Sequence, residues 1–303
     1  MKSTSFAEAA AVVMLGSLMA SSAAIWIRFL PGVSPLTIGY VRVGGAALLL
    51  LPWFWWELAR QGPPAWRELR YSLLAGVALA LHFATWIASL RYTTVAHSVL
   101  MVATHPIFVI AISLWLLRVP VARNQVVGAV VALAGVVFIQ WQDLGGDSVV
   151  GGASAPALGN LLALAGGLFA AVYLLLGRAA RQTLSTIMHV EVTYATAAVV
   201  LLLMALAFGV PGPPRSSGPW VYLLLLVLLP TVGGHTIFNW GLRHLGAPLV
   251  SLIGLLEPVE SAVLALLILG EAVPPATALG AAVIVGGLAL AIWRPQTTGS
   301  ADT

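Results

Sequence analysis

The sequence predicts an all-α integral membrane protein, with ten transmembrane helices arranged as two inverted five-helix repeats. Three observations carry that prediction. Of the 303 residues 60% are hydrophobic and 8% charged, the mean hydropathy is +1.00, and residues 90–141 align without a gap on residues 242–293. A water-soluble domain devotes roughly a quarter of its residues to Asp, Glu, Lys and Arg, so this chain cannot cover a soluble globule with charge. At roughly 20 apolar residues per span the length is filled, which excludes a sizeable soluble catalytic or nucleic-acid-binding module. The net charge of +4 does not indicate a nucleic-acid partner, because the basic residues stand singly between apolar runs. The chain has no cysteine, which removes disulfides, thiol nucleophiles and thiolate metal sites.

Apolar runs bounded by Pro, Gly or charge place helices near residues 8–29, 35–56, 70–90, 93–117, 123–141, 157–179, 184–208, 219–242, 246–270 and 274–293. They are helices rather than strands because the runs are long and rich in Leu and Ala, and because backbone in lipid must satisfy its own hydrogen bonds. The first, with Lys2 and small residues at 20–24, resembles a signal peptide, but its apolar run continues through Ile25, Trp26 and Ile27 and reads as a span. The second carries Arg42 and ends on Trp53, Trp55 and Trp56; the third carries His82 and Trp86; the fourth holds His97 and His105-Pro106 and ends near Trp115; the fifth ends at Trp141. Small residues every four positions at Ala163, Gly167 and Ala171 mark the sixth as closely packed, and Ala278, Ala282 and Gly286 do the same for the tenth. The seventh contains His189 and Glu191, the eighth starts near Trp220 and carries His235 and Asn239, and the ninth has Glu257-Pro258 and Glu260. Tryptophans at helix ends, Trp293 among them, suit the headgroup level.

With a cytoplasmic amino terminus, the inner segments hold Lys2, Arg60, Arg67, Arg70, Arg118, Arg123, Arg178, Arg181, Arg243 and Arg294, and the outer ones only Arg28, Arg91 and Arg215, with Asp143, Asp147 and Glu271. That asymmetry predicts an inner-membrane protein with both termini in the cytoplasm. The internal alignment pairs Arg91 with Arg243, Pro106 with Pro258, Gly128 with Gly280, Gly135 with Gly287 and Trp141 with Trp293. Such matches are not cheap in an aliphatic chain. Since five helices is an odd number, the second half enters from the opposite face, and two inverted halves around a central site are built for alternating access.

The stretch from Phe238 through Asn239, Trp240, Gly241, Leu242, Arg243, His244, Leu245, Gly246 and Ala247 to Pro248, followed by Leu256-Glu257-Pro258-Val259-Glu260 and Leu269-Gly270-Glu271, closely resembles the second repeat of EamA-type proteins of the drug/metabolite transporter superfamily. Leu90-Arg91-Tyr92-Thr93, Pro106 and the run from Gly128 to Gly135 resemble the first. The resemblance covers residues 10–141 and 157–293. It implies a transporter of amino acids, other metabolites or toxic compounds, with export the commoner direction and import the alternative. It also implies that helices 1–4 and 6–9 surround the cavity while 5 and 10 lie outside. One departure stands out: Arg118-Val119 occupies the place of a Gly-Glu pair like Gly270-Glu271.

Ionisable groups inside a span cost roughly 2.5 to 3.5 kcal/mol at the helix centre and normally face a cavity or a partner. The candidate substrate-binding residues are therefore Arg42, Tyr40, His82, Trp86, His105, Glu191, His235, Asn239 and Glu257. Arg42 suits an anionic substrate group through two parallel donors, or a structural salt bridge to Glu191, Glu257 or Glu260. Trp86 suits stacking on an apolar substrate part or anchoring at the interface. His82 and Trp86, like His235 and Asn239, are four apart and share a helix face. Pro106 and Pro258 are expected to kink their helices in mid-span and serve as gates, or to reflect packing alone. Glu257 and Glu260 are three apart, and a protonated carboxyl there would suit proton coupling. The partners expected are thus a small-molecule substrate, protons and membrane lipid. No cofactor or metal is expected. An intramembrane enzyme is the rival class, but neither a His-Glu-x-x-His motif nor a Gly-x-Ser-x-Gly elbow is present.

Overall fold

A computed structural model describes residues 4–93, 98, 101–144, 155–270, 273 and 275–293, and among these every regular element is helical. Helix α1 (Phe6–Ser21) opens on a capping box, in which Ser5 Oγ accepts from the Glu8 N–H and the Glu8 carboxylate accepts from the Ser5 N–H. It breaks at Ser22 and resumes as α2 (Ala23–Arg28). Then come α3 (Pro35–Gln61), α4 (Trp66–Ser89), α5 (His105–Ala111) with a π turn at Ile112–Leu116, α6 (Arg123–Leu144), α7 (Pro156–Ala180) and α8 (Thr186–Ala207). Helix α9 (Gly218–Leu226) runs through a π segment (Val227–His235) into α10 (Thr236–His244). Helix α11 (Ala247–Ile253), a 3-10 turn (Gly254–Leu256), α12 (Glu257–Leu269) and α13 (Pro275–Ile292) complete the chain.

Seven helical stretches are long and apolar enough to cross a membrane: Phe6–Arg28, Pro35–Gln61, Trp66–Ser89, Ala157–Ala180, Thr186–Ala207, Gly218–His244 and Ala247–Ile268. Shorter apolar helices occupy His105–Leu116, Arg123–Phe138 and Ala278–Ile292. Leu48, Leu203, Leu206 and Leu267 are turned outward, as are Trp53, Trp55, Trp56, Trp115, Trp220 and Trp293, while Arg42, His189 and Asn239 are buried. Apolar outside and polar inside is the arrangement a lipid solvent selects. Lys2, His97, Asp147, Glu271 and Arg294 lie outside the described residues, as do the side chains of Trp141 and Asp143.

Close contacts fix the helix directions. Gly159 opposes Thr93 and Gly166 opposes Trp86, so α7 runs antiparallel to α4; Gly39 meets Leu201 and Gly44 meets Ala198, so α8 runs antiparallel to α3. Ser72 meets His189 and Gly76 meets Thr193, which makes α8 parallel to α4. Helix α1 is antiparallel to the π segment and α10, with Val13 on Gly241 and Ala20 on Gly234. Helices α6 and α13 cross so tightly that a Cβ at Gly128 would stand 2.5 Å from the Gly287 carbonyl oxygen, and one at Gly135 would stand 2.8 Å from that of Gly280. The contact face of α13 is therefore Gly280, Ile284, Gly287 and Ala291. The stripe of Ala278, Ala282 and Gly286 points away, and nothing lies within 4 Å of a Cβ built on Gly286. Four-residue spacing found small residues but chose the wrong side of the helix.

Candidate functional site

The site begins with a missing hydrogen. Pro230 has no N–H to give the Leu226 carbonyl, and the backbone there runs as a π segment, in which that carbonyl pairs one residue further on. The Thr231 hydroxyl also donates to the Leu226 oxygen, at 2.8 Å. With its hydrogen committed, Thr231 Oγ1 accepts from Arg42 Nε at 2.7 Å. The Arg42 guanidinium also lies 4.4 Å above the Phe83 ring centroid, a cation–π contact that replaces some of the lost hydration. Arg42 is 1% exposed, and its Nη1 has no hydrogen-bond partner. Among the described residues no carboxylate forms an ion pair with it, so the salt bridges to Glu191, Glu257 or Glu260 are not made.

Arg42 lines a cavity shared with His82, Phe83, Trp86, His105, Tyr173, His235, Phe238 and Glu257, closed by small residues such as Ala20, Ala23 and Ala170. The centre of a water-sized sphere can range over about 80 Å³ in it. A single water needs roughly 10–15 Å³ on that measure, so the space takes several waters or a small solute. His82 Nδ1 lies 2.9 Å from the Gly166 carbonyl and must carry the hydrogen that bonds it; in the neutral ring Nε2 is then an acceptor. His105 Nδ1 is likewise 3.2 Å from a backbone carbonyl, that of Val102. Trp86 stacks on His82 at 5.9 Å and 7°, and its Nε1 is buried without an acceptor. His235 packs edge-on against Phe83 at 5.4 Å, and its Nδ1 is also unpartnered. Three of the buried polar atoms that lack partners thus belong to residues that line this one cavity.

Two helix interruptions bound it. The chain turns at Ala103 and Thr104 before α5, and winds into the 3-10 turn Gly254–Leu256 before α12. Pro106 and Pro258 fall in the first turn of α5 and α12, directly after these interruptions, where a missing N–H costs nothing. The interruptions bring His105 and Glu257 together, both within 4 Å of a Cβ built on Gly254. Glu260, one turn on, is held elsewhere: Ser17 and Ser21 hydroxyls each lie 2.7 Å from its Oε2, tying α12 to α1.

Tyr40, Glu191 and Asn239 are not in the cavity lining. Tyr40 is half-buried on another face of α3. Glu191 lies seven residues from Ala198, which packs at Gly44 beside Arg42, so it sits about 10 Å away along the axis at 1.5 Å per residue. It is buried with Oε2 unpartnered. Asn239 is fully engaged. Its Oδ1 accepts from His189 Nε2 at 3.0 Å, and its Nδ2 donates to the His235 carbonyl at 2.7 Å and to the Tyr173 hydroxyl. His189 Nδ1 then accepts from Ser72 Oγ at 2.8 Å. Arg181, in the turn after α7, donates to the carbonyls of Asn239 and Leu184, and Arg178 donates to that of Leu242. Burial pushes the Arg181 guanidinium down to about 10, with Arg243 adding to the effect and Glu57 opposing it, so it stays charged at neutral pH. Sequence reasoning passed over Tyr173, Phe83, Phe238 and Thr231. Only Thr231 left a usable signal, as a hydroxyl directly after a proline inside an apolar run.

A shell of apolar helices around an internal cavity lined by Arg42, His82, His105, His235 and Glu257 suits a multi-pass membrane protein of the transporter class. The chain belongs to the EamA-like transporter family, whose model matches residues 8–141 and 157–293. An "Uncharacterized transporter" of Archaeoglobus fulgidus is 26% identical over 287 residues, covering 92% of this chain and 95% of that protein. The "Uncharacterized transporter YwfM" of Bacillus subtilis is also 26% identical, over 274 residues, covering 89% and 88%. The crystal structure of another protein shares the fold with a TM-score of 0.77 at 20% identity, covering 94% of this chain and 96% of that one.

Proposed function

We propose that this protein is a secondary transporter that moves a small polar or amphipathic metabolite, an amino acid or related compound, out of the cell across the inner membrane by alternating access. The architecture we assign to it is ten spans in two inverted halves, with both termini cytoplasmic. Helix directions support it. Because α4 and α7 are antiparallel, an even number of crossings separates them, which α5 with its π turn and α6 supply. The packing also maps onto itself when the halves are exchanged: α4 against α7 becomes α10 against α1, while α3 against α8 and α6 against α13 return to themselves. Shifting the Gly128–Gly287 contact by the repeat offset gives Gly280–Gly135, which is also made. The same offset carries the start of α5 onto the start of α12.

The observation that carries the reading is the cavity between these halves, where Arg42 Nη1, Trp86 Nε1 and His235 Nδ1 are buried without partners. Unfinished pairing is costly unless a ligand completes it. Arg42 holds the anionic group, Glu257 and the histidines face a cationic group or a proton, and the aromatic rings enclose the apolar part. The half-helices begun by Pro106 and Pro258 move with their halves and gate the site. Reconstitution into liposomes tests this by counterflow of amino acids and related metabolites, with and without a pH gradient. Saturable exchange that loses its gradient dependence in Glu257→Gln is expected. Unsaturable flux contradicts the carrier, and a Glu257→Gln variant that keeps full gradient dependence removes the proton role.

A further inference from the structure

We propose that Thr231 is a positioning residue that turns one edge of the Arg42 guanidinium toward the substrate, and that the group held there is a planar, singly charged carboxylate. This rests on the cavity being the substrate site, and deepens it. The geometry leaves Thr231 one role. Its hydrogen goes to the Leu226 carbonyl, so only a lone pair of Oγ1 remains, and that lone pair accepts from Arg42 Nε. A hydroxyl with its hydrogen so committed cannot donate to an anion; it can only hold a donor in place. The Phe83 ring fixes the guanidinium plane from one side. With Nε consumed, the edge carrying Nη1 and Nη2 is the one offered, and two parallel N–H groups match the two oxygens of a carboxylate.

Charge selects against a doubly ionised group. The cavity lining holds one arginine and also Glu257, so a phosphate dianion would set two negative charges against a single cation with a carboxyl close by. Lysine in place of Arg42 would be a compact point charge, with neither the Nε contact to Thr231 nor the flat edge.

The test is ligand binding to purified full-length protein in detergent, read as the shift of the melting temperature against a panel of L-amino acids, each paired with its own carboxamide. The carboxamide keeps the shape and removes the charge. Wild type is expected to prefer at least one acid over its amide by on the order of tenfold or more, as loss of a charge-assisted hydrogen bond implies. Thr231→Val should erase most of that preference by weakening binding of the acid while binding of the amide stays the same. Thr231→Ser, which keeps the hydroxyl, should restore it, and this guards against reading a misfolded Thr231→Val as support. Wild-type preference retained by a folded Thr231→Val overturns the role of Thr231 and leaves the transport reading standing. Equal binding of acid and amide by wild type overturns the carboxylate. Binding of no amino acid at all overturns this inference together with the amino-acid reading of the transporter.

Discussion

Two buried polar regions lie one helical turn apart on the same helix, and they differ in whether their hydrogen bonds are complete. Around Asn239 each donor and acceptor of the side chain is used, joining α4, α7, α8 and α10 through Ser72, His189 and Tyr173. Around His235 the pairing stops: Arg42 Nη1, Trp86 Nε1 and His235 Nδ1, on three residues that line the cavity, are buried without a hydrogen-bond partner. A closed network of this kind rigidifies and specifies a packing, and an open one is poised to be completed by a ligand. Burial of polar side chains in a membrane protein therefore does not by itself mark a site.

The comparison breaks most visibly at Arg42. Arg42→Lys removes the flat edge and the Thr231 contact at once, and counterflow should fall by roughly two orders of magnitude, the equivalent of about two charge-assisted hydrogen bonds. Asn239→Leu should do the opposite kind of damage. Leaving His189 and the Tyr173 hydroxyl without their partner should cost about 2–4 kcal/mol of stability, seen as a lowered melting temperature, while the protein that remains folded keeps its substrate preference. Trp86→Phe sharpens the contrast, since it deletes an N–H that has no partner: stability should move by less than about 1 kcal/mol while substrate affinity drops. The smallest effect belongs to a turn. Arg118 has φ 53°, a left-handed conformation, and Gly270 at its repeat-related position has φ 69°. Arg118→Gly should relieve the side chain's clash and raise stability by about 1 kcal/mol, measured by thermal melting.

Much of the fold was legible because lipid imposes simple rules. Apolar runs with proline and glycine boundaries placed the seven stretches long enough to cross a membrane near their observed positions. Helix ends shifted where a cap or a break decided them, as at Ser5 and Thr104. Arg42, His82, Trp86, His105, His235 and Glu257 were legible as candidates for the cavity because ionisable or amphipathic groups in a span are few. Glu191 and Asn239 met the same criterion, yet depth along α8 sets one apart and complete pairing occupies the other. Neither depth nor pairing is written in a single helix; both arise from how neighbouring helices register. Tyr173, Phe83 and Phe238 were lost among many aromatic residues for the same reason. That Pro106 and Pro258 stand directly after a turn was not legible in the sequence, because proline opens a helix as readily as it bends one.

The central claim is that this cavity opens to the two sides of the membrane in turn. The chain has no cysteine, so a single Ala170→Cys placed in the cavity wall is a unique label site. In liposomes of known orientation, a membrane-impermeant maleimide should modify that thiol when added from either face, and an exchanged substrate should slow both reactions. Labelling from one face alone, or labelling that saturating substrate leaves unchanged, would contradict the account.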